Sequence, residues 1–171
     1  VLTLTANVLE FGTDVTPKYY SSFVVQGFPL TESKYSAAVM FFKPGKTVEF
    51  ILRSPTALRY PVSFLVNASE KRPEGAGYKL KAGEQLVVTH TSLRFAEDEY
   101  HTSTSRLNTL AKVDPAEYQS PMYQLNVEMG NLVGKAHEAL RRYEYSESEK
   151  YAAEAWRISK DTYLYSRTKI E

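Results

Sequence analysis

The sequence contains no cysteine. Disulfides, thiolate nucleophiles and cysteine-ligated metal centres are therefore excluded. Histidine occurs only 3 times, which leaves few candidates for a general base or an imidazole-ligated metal. No apolar run is long enough to span a bilayer, and residues 62–66, Val-Ser-Phe-Leu-Val, are strand-length. An excess of one charge is missing as well. With 21 Lys and Arg against 20 Asp and Glu, the net charge of +1 supplies no broad positive field for nucleic acid. Arg141-Arg142 is the one basic doublet without an acidic neighbour on either side, and no nucleic-acid partner is expected.

Hydrophobic residues make up 43% and charged residues 24% of the 171 positions, which is ordinary globular usage and excludes wholesale disorder. The chain begins at Val1 without methionine, as expected of a processed or truncated product. Any membrane attachment would come from a segment outside this chain. Thirteen tyrosines combine large apolar rings with polar tips, which suits half-exposed strands and contact surfaces.

The pattern of apolar residues changes near residue 115. Before it, short alternating runs are separated by turn signals. Residues 1–11 place Leu2, Leu4, Ala6 and Val8 on one side and Thr3, Thr5 and Asn7 on the other. Further strands are expected over residues 19–25, 35–42, 47–53, 60–67 and 78–81. Pro44-Gly45 and Ala82-Gly83 supply turn chemistry. The longest strand is expected over residues 84–95, followed by a turn at Ala96-Glu97-Asp98-Glu99 and an eighth strand from Tyr100. Many short strands without intervening helices favour an antiparallel sandwich over a parallel sheet.

After residue 115 the spacing is helical. Asp114-Pro115 and Ser120-Pro121 each set a capping side chain before a proline. Met122, Leu125, Met129, Leu132, Val133, Ala136, Leu140 and Tyr143 form one stripe. Ser146-Glu147-Ser148-Glu149 matches a capping box and predicts a second helix over residues 147–167. Its apolar face holds Tyr151, Ala152, Ala155, Trp156, Ile158, Ser159, Tyr163 and Tyr165, and Lys150–Glu154 and Arg157–Asp161 are the expected ion pairs. Two helices joined by a short turn lie antiparallel, with Ala152 and Ala155 expected opposite Gly130 and Gly134. The fold class that results is α+β: an immunoglobulin-like β-sandwich over residues 1–113, then an antiparallel helical hairpin over residues 114–171.

Chemistry is sparse. Glu97-Asp98-Glu99 lies between His90 and His101, so a hairpin turn there would bring His90, Asp98 and His101 together as ligands of a metal-dependent hydrolase. No Gly-x-Ser-x-Gly elbow is present, and Gly75-Ala76-Gly77 lacks the lysine-serine ending of a phosphate loop. His137 sits at the edge of the first helical stripe. No catalytic residue and no cofactor are assigned. Asn67-Ala68-Ser69 is an N-glycosylation acceptor pattern.

Several β-region phrases carry a resemblance. They are Gly27-Phe28-Pro29, Ala37-Ala38-Val39-Met40-Phe41-Phe42, Gly45-Lys46-Thr47, Arg59-Tyr60-Pro61, Asn67-Ala68-Ser69 and Ala82-Gly83-Glu84. Over roughly residues 20–110 the chain resembles immunoglobulin-like accessory ectodomains such as the lumenal domain of the translocon-associated protein alpha subunit. It departs from that pattern beyond Asp114. The resemblance implies a membrane-associated, non-enzymatic accessory domain and carries over no site residue.

The function expected is a non-enzymatic extracytoplasmic interaction or assembly module, secreted or membrane-anchored. The hairpin would provide the contacts to a protein partner or a second copy, with Trp156, Tyr163 and Tyr165 as aromatic anchors. A sandwich that binds small molecules or glycans on exposed tyrosines is a further expectation.

Overall fold

The computed structural model describes residues 5–12, 21–26, 36–53 and 62–170. Among these the protein is α+β, with six strands followed by three α-helices. The strands are β1 (Thr5–Glu10), β2 (Ser21–Gln26), β3 (Ser36–Phe41), β4 (Thr47–Arg53), β5 (Val62–Leu65) and β6 (Tyr78–Lys79). All pairings are antiparallel. β4 is the centre: β1 covers one edge from Thr5↔Arg53 to Glu10↔Val48, while β5 and then β6 share the other. β2 and β3 form a separate two-stranded ladder from Ser21↔Phe41 to Gln26↔Ser36. These positions agree with the expected strands. A sandwich is not shown by the described residues. The turn signals between the first strands, over residues 13–20, 27–35 and 54–61, lie outside them.

The Pro44-Gly45 turn forms as expected, and the Gly45 amide donates to the Leu80 carbonyl at 3.0 Å. Val48, Ile51 and Leu65 are buried. Gly77 has φ 65°, and a Cβ there would stand 2.4 Å from Thr47 and 2.9 Å from Phe11, so glycine is required on both counts.

The long strand expected over residues 84–95 is not formed. Residues 84–90 are irregular, and α1 (Thr91–Val113) takes in both the expected turn and the expected eighth strand. The change from strand to helix thus falls at Thr91 and not near residue 115. A short 3-10 turn (Pro115–Gln119) follows, opened by Asp114, whose Oδ1 accepts from the Ala116 amide. α2 (Pro121–Arg141) starts where Ser120-Pro121 placed it, with Ser120 Oγ accepting from the Tyr123 amide at 3.1 Å. α3 (Tyr145–Ile170) begins just before Ser146, so the expected capping box does not form. Ser148 instead donates its hydroxyl to the Ala136 carbonyl at 2.9 Å and ties the first turn of α3 to α2.

The chain divides into two compact units, one of Val1–Val66 with Gly77–Leu86, the other of Asn67–Ala76 with Val87–Glu171. This differs from the expected division into residues 1–113 and 114–171. The second unit is a three-helix bundle that includes the polar loop between β5 and β6. Contacts from α1 to α2 run in opposite order (Asn108 to Tyr123, Thr104 to Asn126, Glu97 to His137), so these two are antiparallel. Contacts from α1 to α3 run in the same order (Ser92 to Glu149, Phe95 to Trp156, Arg106 to Tyr163), so these two are parallel. The core is Leu93, Ala96, Met129, Val133, Ala136, Ala152, Ala155 and Ile158. Gly130 does not face Ala152 and Ala155: a Cβ on it would lie 2.7 Å from the Tyr100 ring of α1, while Gly134 has open space.

Candidate functional site

Three sets of side chains stand out in the helical unit. The first is a ridge on α1 made of Asp98, Thr102 and Arg106, one turn apart. Asp98 is buried, and its carboxylate accepts from the amides of Asn67 at 3.0 Å and Ala68 at 2.8 Å. Thr102 donates its hydroxyl to the Pro73 carbonyl at 2.7 Å. Arg106 holds Glu74 in a two-pronged contact, Nε to Oε1 at 2.9 Å and Nη2 to Oε2 at 2.7 Å. The ridge therefore clamps the 67–76 loop along its length. Asn67, exposed and at φ 56°, heads this loop with its acceptor tripeptide.

This geometry settles how the expected metal ligands are placed. Residues 96–99 are helical, so His90 and His101 do not approach across a hairpin. Eleven residues along a helix axis separate two groups by about 16 Å. Among the described residues no group of three histidine or carboxylate side chains is arranged to hold a metal ion. Asp98 is occupied by the loop, and His101 lies against the Tyr100 ring at 5.6 Å.

The second set lies between α1 and α3. Ser159 is fully buried, and its hydroxyl donates to Glu99 Oε2. Burial pushes the Glu99 carboxyl up to about 7; the Ser159 hydrogen bond and the Lys160 charge oppose this rise, and the Asp98 charge adds to it. Beside it, Trp156 stacks on Phe95 with centroids 5.6 Å apart, and the Lys160 ammonium lies 4.4 Å from the indole centroid. Tyr163 sits beneath the Arg106 guanidinium, and Tyr165 donates its hydroxyl to Glu117 Oε2 at 3.2 Å. The three expected anchors, Trp156, Tyr163 and Tyr165, thus each have an engagement within the chain. The expected ion pairs of α3 also shift by one turn: Lys150 lies 3.9 Å from Glu147, and Arg157 lies 2.7 Å from Glu154.

The third set is at the bundle end where α1 and α3 begin and α2 finishes. Sequence reasoning placed Tyr143 on the α2 stripe. It ends that stripe and closes the helix, at φ 62°. Its amide donates to Leu140 and the Glu144 amide donates to Ala139, a Schellman closure with tyrosine where glycine is usual. His90, the residue before α1, also has positive φ at 52° and makes no capping bond with its side chain. The two meet around Tyr145. His90 stacks on Tyr145 at 6.4 Å, and Tyr143 meets Tyr145 edge-on at 6.5 Å. Tyr143 is 77% and Tyr145 58% exposed. Alongside, Glu97 joins Arg94 at 3.1 Å and His137 Nε2. The signal for this site was in the sequence as Tyr143 and Tyr145 around the helix-to-helix turn.

No protein-family model, curated protein or solved structure matches the chain.

Proposed function

We propose that this chain is a non-enzymatic interaction module whose contact surface is the aromatic bundle end of His90, Tyr143 and Tyr145. The observation that carries this reading is the coincidence of strain and exposure. Among the described residues, two of the three non-glycine residues with positive φ meet in one exposed aromatic cluster. A left-handed conformation costs a side-chain-bearing residue about 1–2 kcal/mol. Glycine would remove that cost at Tyr143, so a retained ring is accounted for by what the ring contacts. The α2–α3 pair acts as a helical hairpin braced by α1, and the strand-rich unit as an immunoglobulin-like sandwich of the β1–β4–β5 sheet and the β2–β3 ladder. A protein partner, an extracytoplasmic setting and kinship with accessory ectodomains of the translocon-associated type belong to the same proposal. The exposed acceptor Asn67 is compatible with them.

The test is site-specific photocrosslinking in the native host. A benzophenone side chain at Tyr143 is expected to give a discrete protein adduct, reduced by Tyr145→Ala, while the same probe at exposed Val127 of α2 gives none. Adducts that are equal at both positions, or absent at Tyr143, would overturn the assignment.

A further inference from the structure

The loop that α1 clamps carries a sequence pattern for covalent modification. Asn67-Ala68-Ser69 is an acceptor of the Asn-x-Ser/Thr kind, with a middle residue other than proline. The fold exposes its two chemical ends, Asn67 and Ser69, and half-buries the Ala68 between them. The backbone around it is fixed. The Asn67 amide donates to Asp98 Oδ2 at 3.0 Å, and the Asn67 carbonyl accepts from the Ala76 amide at 3.2 Å. Ser69 and Arg72 exchange amide-to-carbonyl bonds at 3.0 Å. Residue 67 is left-handed, at φ 56°, a conformation that glycine and asparagine adopt at least cost. Of those two, only asparagine offers a side-chain nitrogen. The clamp grips other groups: Asp98 takes the Asn67 and Ala68 amides, Thr102 the Pro73 carbonyl and Arg106 the Glu74 carboxylate. None of these bonds uses Asn67 Nδ2, so each is kept when that atom is substituted.

We propose that Asn67 is a glycosylation site and carries an N-linked oligosaccharide on the loop that α1 holds. The proposal rests on the extracytoplasmic setting of the reading above and adds to it a covalent modification at a stated atom. The co-reactant is an oligosaccharide linked to a lipid diphosphate. Transfer forms a bond from Asn67 Nδ2 to the anomeric carbon of the first sugar and breaks that carbon's bond to the diphosphate oxygen. The amide gives up one proton, and the lipid diphosphate leaves with the electron pair. A bulky, hydrated substituent needs an exposed point of attachment, and exposed Asn67 supplies one on a backbone that buried Asp98 keeps in place.

The experiment compares wild type, Ser69→Ala and Ser69→Thr, each produced in the native host and measured by mass spectrometry before and after peptide N-glycosidase. Ser69→Ala removes the acceptor hydroxyl and one exposed bond, from the Arg72 amide to Ser69 Oγ at 3.2 Å, while leaving Asn67 in place. Ser69→Thr keeps the acceptor pattern. Wild type and Ser69→Thr are expected to lose the mass of an oligosaccharide on treatment and to be left with aspartate at position 67. Ser69→Ala is expected to show no loss. The readout is taken on peptides, so it does not depend on the folding of the variants. A sugar that persists in Ser69→Ala lies elsewhere and would overturn the site. Protease protection in sealed secretory vesicles from the same host separates this proposal from the reading beneath it. A protected chain with bare Asn67 overturns the site and leaves the interaction module standing. A chain digested without detergent overturns the extracytoplasmic setting and the site together, and the aromatic contact surface is still judged by photocrosslinking.

Discussion

Replacing Asp98 tests the assignment of α1 as the clamp of the 67–76 loop. Its two oxygens accept from two different amides, at 3.0 and 2.8 Å, and the side chain is buried. A hydrogen bond to a charged group contributes about 1.5–3 kcal/mol. Asn67 is exposed and Ala68 half-buried, so water can reach part of what Asp98→Ala releases. The lower end of that range applies to each bond, and Asp98→Ala should cost about 2–4 kcal/mol in total. Asp98→Asn keeps one carbonyl oxygen and turns an NH2 toward the other amide, so it should cost roughly half as much.

Two measurements read this. Urea unfolding followed at Trp156 reports the helical unit, and hydrogen exchange reports the Asn67 and Ala68 amides directly. Both amides should exchange much faster in Asp98→Ala. The Gly75 amide, bonded to the Arg72 carbonyl within a half of the loop that Thr102 and Arg106 hold, should change little. If Asp98→Ala unfolds within about 0.5 kcal/mol of wild type, or the two amides keep their protection, the carboxylate is not the clamp.

The two glycines of α2 should respond in opposite directions. Gly134→Ala has open space and should gain about 1 kcal/mol from helix propensity. Gly130→Ala gains the same term but drives a methyl into the Tyr100 ring, so its midpoint should fall below that of Gly134→Ala; equal midpoints would mean that Tyr100 does not lie over Gly130. Tyr143→Gly should raise stability by about 1 kcal/mol through relief of the left-handed conformation, while weakening the Tyr143-dependent partner contact. A drop in thermal midpoint would show that the ring stabilises the turn more than its backbone strains it.

The strands and the last two helices were legible because their boundaries use ordinary chemistry. Pro44-Gly45 makes a turn in any context, and Ser120-Pro121 can cap and open a helix without help from tertiary packing. α1 was concealed for local reasons. Val87, Val88, Thr89 and Thr91 are β-formers, and the helix that follows opens on His90, which supplies no capping oxygen. Its buried stripe, Leu93, Ala96, Ser103, Leu107 and Ala111, does have helical spacing. The serine interrupts that stripe for any reader who counts only apolar residues.

That interruption has a physical basis which extends to α3. Ser159, Thr162 and Ser166 form a fully buried stripe at spacings of three and four. Thr162 and Ser166 donate their hydroxyls to carbonyls of their own helix, at Ser159 and Tyr163 respectively, and Ser159 has both the Trp156 carbonyl and Glu99 within reach. Such hydroxyls bring their own acceptor with them, so burying them costs little, and their small size lets neighbouring helices approach. A carboxylate has no such recourse, because it only accepts. Asp98 meets the requirement by drawing two amides of the loop onto α1. Glu99, the next residue, meets the Ser159 hydroxyl of α3, and burial pushes its carboxyl up to about 7. Adjacent acidic residues read as one solvated turn in the sequence are thus set apart by the helix. One accepts from two loop amides and fixes the loop, and the other meets Ser159 of α3 with its carboxyl pushed up by burial.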